Sequence, residues 1–213
     1  MEMFPMYLKL EGRACLVVGA GSIAAPKVES LLRAGAAVTV VAPQAQTSVE
    51  QAAIEGRIHW IQREFAASDL EGKFLVITGT DRKEVNHAVA EAARARQILC
   101  NSVDDPPDCD FFYPSVVRRG ELQIAISTAG KSPALAQRLR EEIDALLDPE
   151  MGEWLDAVGE IRQRILECFA LSEERKRALH LLARREICHA EQCPVQEMLR
   201  QAPRLASQPQ QAQ

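Results

Sequence analysis

The sequence predicts an α/β protein with a doubly wound parallel sheet of the Rossmann type, followed by a dimerisation segment and a small C-terminal helical domain. Five short apolar runs alternate with helical patterns, and a glycine-rich turn joins the first run to the first helix. After Pro114 the pattern changes and helices dominate. The predicted divisions are 1–113, 114–149, 150–201 and a disordered tail at 202–213.

Apolar runs and helical spacing define the elements of the first division. Ala14 to Val18 is continuously apolar, as suits a strand covered on both faces, and helical spacing follows as far as Gly35. Val38 to Val41 is the second strand. The remaining strands are predicted at 57–62, 74–80 and 97–103, with helices at 46–56 and 81–96.

The later divisions begin with a strand at 121–128 and an amphipathic helix at 132–147. Ser132 can cap this helix and Pro133 suits its first turn. An exposed strand followed by an apolar-striped helix could pair across a two-fold axis, which predicts a homodimer built from residues 120–147. The alternative is that the strand and the helix bury their apolar faces in a small separate core within one chain. Further helices are predicted at 153–169, 172–187 and 194–201.

Composition excludes several classes of function. The 213 residues carry 25 basic against 30 acidic side chains, a net charge of −5 that gives no electrostatic reason to expect nucleic-acid binding. No apolar run reaches the length of a membrane span, and the first residues lack a signal-peptide pattern, so a cytoplasmic protein is expected. Six cysteines form no CxxC pair, which predicts reduced thiols.

The glycine turn is the first candidate site. Gly19, Gly21 and Ala24 form GxGxxA between a strand and a helix, where the first glycine allows the turn and the second lets a pyrophosphate approach the backbone. The pattern predicts a dinucleotide site; a glycine turn without a ligand is the alternative. The second strand ends in "VVAPQ", with no acidic residue or arginine to choose between NAD and NADP.

An acidic loop follows the fifth strand. Asp104 lies just beyond the carboxyl edge of that strand, the edge at which open α/β sheets bind ligands. The alternative is a solvated loop, because Asp and Pro are ordinary turn residues. For Asp105, Asp108 and Asp110, the solvated loop is the expectation.

No metal site is predicted. The four histidines show no i,i+4 pair. Cys188, His189 and Cys193 could suggest a metal, but no second pair of ligands accompanies them, and a packed helix end is the favoured interpretation.

Three separated stretches resemble the precorrin-2 dehydrogenase family, also called sirohydrochlorin ferrochelatase or the siroheme synthase N-terminal module. They are "YLKLEGRACLVVGAGSIAAPKVESLLRAGAAVTVVAP", "TGTDRKEVNHAVAEAARARQILCNSVDDP" and "DFFYPSVVRRGELQIAISTAGKSPALAQRLREEI". The resemblance implies NAD-dependent oxidation of precorrin-2 to sirohydrochlorin, a step toward siroheme. It also implies a homodimer and, in some members, ferrous iron insertion at the same site.

The same resemblance assigns individual residues. The family's NAD contacts fall on Ser22 and Ile23 after the glycine turn, and on Pro43 and Gln44 after the second strand. Its catalytic aspartate, in an Asn-x-Val-Asp pattern, falls on Asp104. The sequence departs from many relatives at Pro26, where they have Arg; proline is tolerated only if it lies in the first helical turn.

A tetrapyrrole with many carboxylates is expected to bind to cationic side chains. Lys131, beside a helix start, is the best candidate, followed by Arg118 and Arg119. Two other functions stay open from sequence: a non-catalytic NAD-binding regulator that senses redox state, and an oxidoreductase for another polycarboxylate.

Overall fold

The computed structural model describes residues 3–103, 105–184 and 194–201. The chain divides into two compact units, Met1–Tyr113 and Pro114–Gln213. None of the helices in the described ranges is long and apolar enough to cross a membrane.

The first unit is built on a parallel sheet of five strands in the order β3-β2-β1-β4-β5. The strands are β1 (Ala14–Val18), β2 (Ala37–Val41), β3 (Ile58–Ile61), β4 (Leu75–Thr78) and β5 (Leu99–Ser102). The helices are α1 (Ala25–Arg33), α2 (Thr47–Ile54) and α3 (Lys83–Arg94), with short 3₁₀ helices at Ala67–Leu70 and Pro106–Asp108. The predicted doubly wound parallel sheet is confirmed, and its strand order reverses between β1 and β4.

Two apolar layers cover the two faces of this sheet. Cys15 and Val17 of β1 pack in the layer that contains α1 and α2, whereas Leu16 and Val18 pack in the layer of α3. Because both faces are buried, the strand has no polar position, which explains the continuous apolar run seen in the sequence.

Helix α1 accommodates Pro26 as expected. The helix begins at Ala25, so Pro26 occupies its first turn, where a backbone N–H would have no intrahelical acceptor and its absence costs no hydrogen bond. The helix ends before Gly35, whose φ of +75° reverses the chain toward β2.

The second unit opens with a hairpin. Strand β6 (Ser115–Arg119) pairs antiparallel with β7 (Leu122–Ile126) through a turn at Gly120, where φ is +55°. Strand β7 was predicted and β6 was not. Helix α4 (Pro133–Leu146) follows, and the Ser132 hydroxyl accepts a hydrogen bond from the Leu135 amide at 3.2 Å, which confirms the predicted cap.

After α4, the described part of the chain forms three further helices, which share a core of their own. They are α5 (Met151–Cys168), α6 (Glu173–Leu182) and α7 (Pro194–Gln201). Ile165, Ala178, Leu182, Val195 and Leu199 form its buried centre. The predicted division of this unit at residue 150, like the predicted dimerisation segment, stays a prediction.

Candidate functional site

Gly19 opens the turn after β1 in a conformation that only glycine adopts without strain. Its φ is +99°, and a Cβ built there would lie 2.8 Å from the carbonyl oxygen of Gly79, at the end of β4. Its amide donates to the Val41 carbonyl at 2.9 Å. The turn is thereby held against the ends of both strands that flank β1.

Gly21 has a different role, because the space above it is open. A Cβ built at Gly21 would meet no described atom within 4 Å. Among the described residues, none accepts a hydrogen bond from the amides of Gly21, Ser22 or Ile23. Free amides at the start of a helix, beside a glycine that leaves room for close approach, are the arrangement that binds a pyrophosphate.

A cavity of about 310 Å³ lies at this edge of the sheet. The carboxyl ends of β1 and β2, the loops that follow β3 and β4, and the first turns of α3 form its wall. Of the residues predicted to contact NAD, Gly19 and Pro43 line the cavity. Gly21, Ser22, Ile23 and Gln44 are exposed in the same two loops.

Asn86 of α3 fixes the loop after β4, and sequence reasoning missed it. Its Oδ1 accepts hydrogen bonds from the Thr78 hydroxyl at 2.7 Å, the Thr80 hydroxyl at 2.8 Å and the Thr80 amide at 3.1 Å. Its Nδ2 donates to the Thr80 carbonyl at 3.0 Å. A buried amide in the apolar stripe of a helix was the available signal.

Charged side chains line the cavity on the α3 side. Arg82 donates to Glu64 at 2.8 Å and to Glu84 at 3.0 Å, and Asp81 lies beside them. Two carboxylates therefore pair with the Arg82 guanidinium, through its Nε and Nη1 groups, and a third carboxylate lies in the same wall. The sequence offered no residue on β2 to choose between NAD and NADP; the structure supplies these charges from the loops after β3 and β4.

Gly79 brings the glycine turn and the end of β5 together. A Cβ at Gly79 would lie 3.6 Å from Cγ2 of Ile23 and 3.5 Å from Cγ2 of Val103. The side chain of a predicted NAD contact and the residue that precedes Asp104 thus flank the same bare backbone position, beside the point where the strand order reverses.

Asp104 itself lies outside the described residues, but the residues on either side of it are held by hydrogen bonds. The Val103 amide donates to the Thr78 carbonyl at 2.9 Å, and the Asp105 amide donates to the Ser102 carbonyl at 3.2 Å. The Cys109 thiol donates to the Ser102 carbonyl at 3.0 Å.

The expectation of a solvated loop was wrong for Asp108. Only 7% of this residue is exposed, and its two carboxylate oxygens lie 2.6 Å from Nδ1 of His87 and 3.4 Å from Arg94. Asp110 is exposed, yet its Oδ2 accepts a hydrogen bond from the Cys100 amide at 2.9 Å. Asp108 and Asp110 therefore fasten this loop to α3 and β5, respectively.

The His87–Asp108 contact shifts both groups in the direction of an ion pair. The hydrogen bond from His87, together with Arg94, lowers the pKa of Asp108. The Asp108 carboxylate raises the pKa of His87 above its usual value.

The predicted substrate cations lie in the second unit and differ in availability. The Arg119 side chain is 19% exposed; it bonds to the Asp144 carboxylate at 2.7 Å and to the Asp144 carbonyl at 2.8 Å. The guanidinium of Arg119 is therefore already bonded within the second unit. Arg118 and Lys131 are exposed.

The interpretation of Cys188, His189 and Cys193 concerns positions outside the described residues. Within the described ranges, no three His, Cys, Asp or Glu side chains are grouped so that they could hold a metal ion. The predicted thiols agree with the structure where it describes them. Cys15 and Cys100 are free and buried, and burial raises the pKa of Cys100 to about 12.

The parallel sheet, the glycine turn and the cavity at the strand ends define a Rossmann-type dinucleotide-binding protein. An NAD(P)-binding family model matches residues 6–115, and a model described as the central part of a sirohaem biosynthesis protein matches residues 119–146.

Known relatives agree with these matches. Siroheme synthase 3 of Aeromonas hydrophila is 41% identical over 177 residues, and siroheme synthase 1 of Yersinia enterocolitica is 43% identical over 177 residues. Each alignment covers 83% of this chain and 38% of the relative, so the chain spans well under half the length of these relatives. The solved structure of SirC, a precorrin-2 dehydrogenase, superimposes with a TM-score of 0.78 at 27% identity, covering 93% of this chain and 98% of SirC. The chain belongs to the family of NAD(P)-binding siroheme biosynthesis proteins, and the resemblance stated from the sequence is confirmed.

Proposed function

We propose that the chain oxidises precorrin-2 to sirohydrochlorin with NAD, and that Asp104 accepts the proton that leaves as hydride is transferred. The observation that carries this proposal is that Ile23 and Val103 flank Gly79: their Cγ2 atoms lie 3.6 Å and 3.5 Å from a Cβ built there. It supports a site in which a cofactor on the glycine turn lies next to the loop that carries Asp104. The names of the relatives, siroheme synthase and precorrin-2 dehydrogenase, support the choice of substrate.

The chain's own residues suit each part of this reaction. Bound NAD supplies the hydride acceptor. The amides of Gly21, Ser22 and Ile23 would hold its pyrophosphate, and Gly19 and Pro43 would line the adenosine side of the site. A carboxylate at the end of β5 is a suitable proton acceptor, because substrate oxidation releases one hydride and one proton.

The charges of the cavity favour NAD over NADP. Arg82 is paired with Glu64 and Glu84, whose two negative charges offset the attraction of its guanidinium for a 2′-phosphate. An added phosphate would also face the carboxylate of Asp81. Ribose hydroxyls, in contrast, are good donors to such carboxylates.

Several parts of the proposal rest on the family alone. Arg118 and Lys131 are the exposed cations proposed to meet the substrate carboxylates. A homodimer built from residues 120–147 and a cytoplasmic location stay predictions. Ferrous iron insertion is implied by the resemblance, and the experiment tests it separately.

The test is turnover of precorrin-2 by the purified chain with NAD, followed by NADH absorbance and the spectrum of sirohydrochlorin. We expect Asp104→Ala to slow oxidation by roughly a hundredfold or more, the scale of a positioned acid–base group, and to leave NAD affinity unchanged. Asp105→Ala is the matched control and should have a small effect. Equal, small effects of both substitutions would refute the role of Asp104. Ferrous iron added to the product tests insertion, which the Asp104 variant should also lose if the two reactions share the site.

A further inference from the structure

We propose that Asp108, His87 and Arg94 form a positioning cluster, which holds the loop after β5 in the geometry that the oxidation requires. The inference rests on the proposed function, because the loop in question carries Asp104. It goes beyond that function by assigning a role to residues that neither the glycine turn nor the reaction itself uses.

The burial of Asp108 is the first argument. Carboxylates are seldom buried without a partner, and Asp108 is 7% exposed with both oxygens directed at α3. Its partners are 21 and 14 residues away along the chain, so this contact closes the loop against a separate element. A solvated turn would need neither the burial of Asp108 nor its two partners on α3.

The second argument is the internal bonding of the loop. The Asp108 amide donates to the Asp105 carbonyl at 3.1 Å, and the Cys109 sulfur, whose thiol donates to Ser102, lies 3.3 Å from the same Asp105 carbonyl. The Nδ2 group of Asn101 donates to the Phe111 carbonyl at 2.7 Å. A displacement of Asp108 would thus be passed to Asp105, the residue next to Asp104.

The third argument is that α3 also forms part of the cofactor cavity. Glu84, Val85 and Ala88 line the cavity, while His87 and Arg94 of the same helix hold the loop. A single rigid helix therefore relates the loop after β5 to the cavity wall. Preorganised geometry of this kind matters because a misplacement of about 1 Å can cost about a hundredfold in rate.

The cluster has a defined response to pH. The charged groups that face His87 are Asp105 and Asp108 from the loop and Glu91 from α3; Arg94 faces Asp108 and pairs with Glu91. Because Asp108 raises the pKa of His87, the ionic part of the contact is fully present below the ordinary pKa of histidine. It is lost as pH rises through the raised pKa of His87.

The experiment compares Asp108→Asn with Glu91→Gln. Each replaces one carboxylate near Arg94 by an amide, but the hydrogen bond of Glu91 is made to Arg94 within α3 and not to the loop. We expect Asp108→Asn to lower kcat for precorrin-2 by about tenfold to a hundredfold. NAD affinity should stay within about twofold of the wild-type value, since the glycine turn is untouched. Glu91→Gln should behave as wild type.

Two further readouts separate positioning from general stability. Hydrogen exchange of the amides in 103–111 should speed up in Asp108→Asn and not in Glu91→Gln, without a change at β1 and β2. We expect the kcat of the wild type to fall as His87 deprotonates, and His87→Gln, whose amide can donate to Asp108 at every pH, should not show this fall. An Asp108→Asn protein with wild-type kcat and wild-type exchange would overturn the inference.

Failure of the proposed function has its own signature. If the wild-type chain does not oxidise precorrin-2 at all, both the function and the positioning role fall. If the wild-type chain oxidises precorrin-2 normally and hydrogen exchange in the loop is unchanged by Asp108→Asn, the positioning role alone is refuted.

Discussion

Substitution of Gly21 by Asp tests the dinucleotide site most directly. A Cβ at Gly21 would meet no described atom within 4 Å, and φ at this residue is not in the left-handed region, so the fold should tolerate the change. The new carboxylate would instead occupy the space that the pyrophosphate needs. Two like charges about 5 Å apart, at an effective dielectric constant of about 20, repel by about 3 kcal/mol. NAD affinity should therefore fall by roughly a hundredfold or more.

The assay is calorimetric titration with NAD, with thermal unfolding as the check of the fold. Gly159→Asp is the matched control, because a Cβ at Gly159 in α5 also meets no described atom within 4 Å. It adds the same charge to the chain at a position in the second unit and should leave NAD affinity unchanged. A folded Gly21→Asp protein that binds NAD as tightly as the control would refute the assignment of the glycine turn.

Two other substitutions address the same edge of the sheet. Gly19→Ala should lower the free energy of unfolding by about 2–3 kcal/mol in chemical denaturation, because φ is +99° and the new Cβ would lie 2.8 Å from the Gly79 carbonyl oxygen; wild-type stability would contradict this assignment. The double variant Glu64→Gln, Glu84→Gln should release Arg82 and improve NADP affinity relative to NAD by roughly tenfold in competitive titration, and an unchanged ratio would show that Arg82 does not control the choice.

The sheet could be predicted from the sequence because its signal is local. Strands β1 and β4, at the centre of the sheet, are covered on both faces and read as nearly continuous apolar runs, and the intervening helices follow their own period. The glycine turn is local as well: Gly19 and Gly21 are two residues apart, and each meets its own geometric requirement. Strand β6 was missed because Arg118 and Arg119 end a run of only two valines, and the hairpin depends on the positive φ of Gly120.

The site charges could not be predicted because their partners are distant in sequence. Glu64 follows β3 and Arg82 follows β4, and only the strand order brings them to one cavity. The choice between NAD and NADP was sought at the end of β2, the usual position of the discriminating residue. In this chain that position carries Pro43 and Gln44, and the loops after β3 and β4 provide the charges.

The contacts of Asp108 could likewise not be predicted from the sequence, and they bear on which carboxylate is proposed as the base. In sequence, the three aspartates that follow Asp104 are indistinguishable, since each is an ordinary turn residue. In the structure their surroundings differ: Asp108 is buried against His87 and Arg94, while Asp110 caps the amide of Cys100. Two carboxylates committed to holding the loop cannot also serve as the proton acceptor without breaking those contacts. Of the remaining two, Asp105 holds its neighbours through its backbone, and the family pattern selects Asp104. The structural role of Asp108 therefore strengthens the functional assignment of Asp104, because a base at the end of β5 is useful only if its loop is held in place.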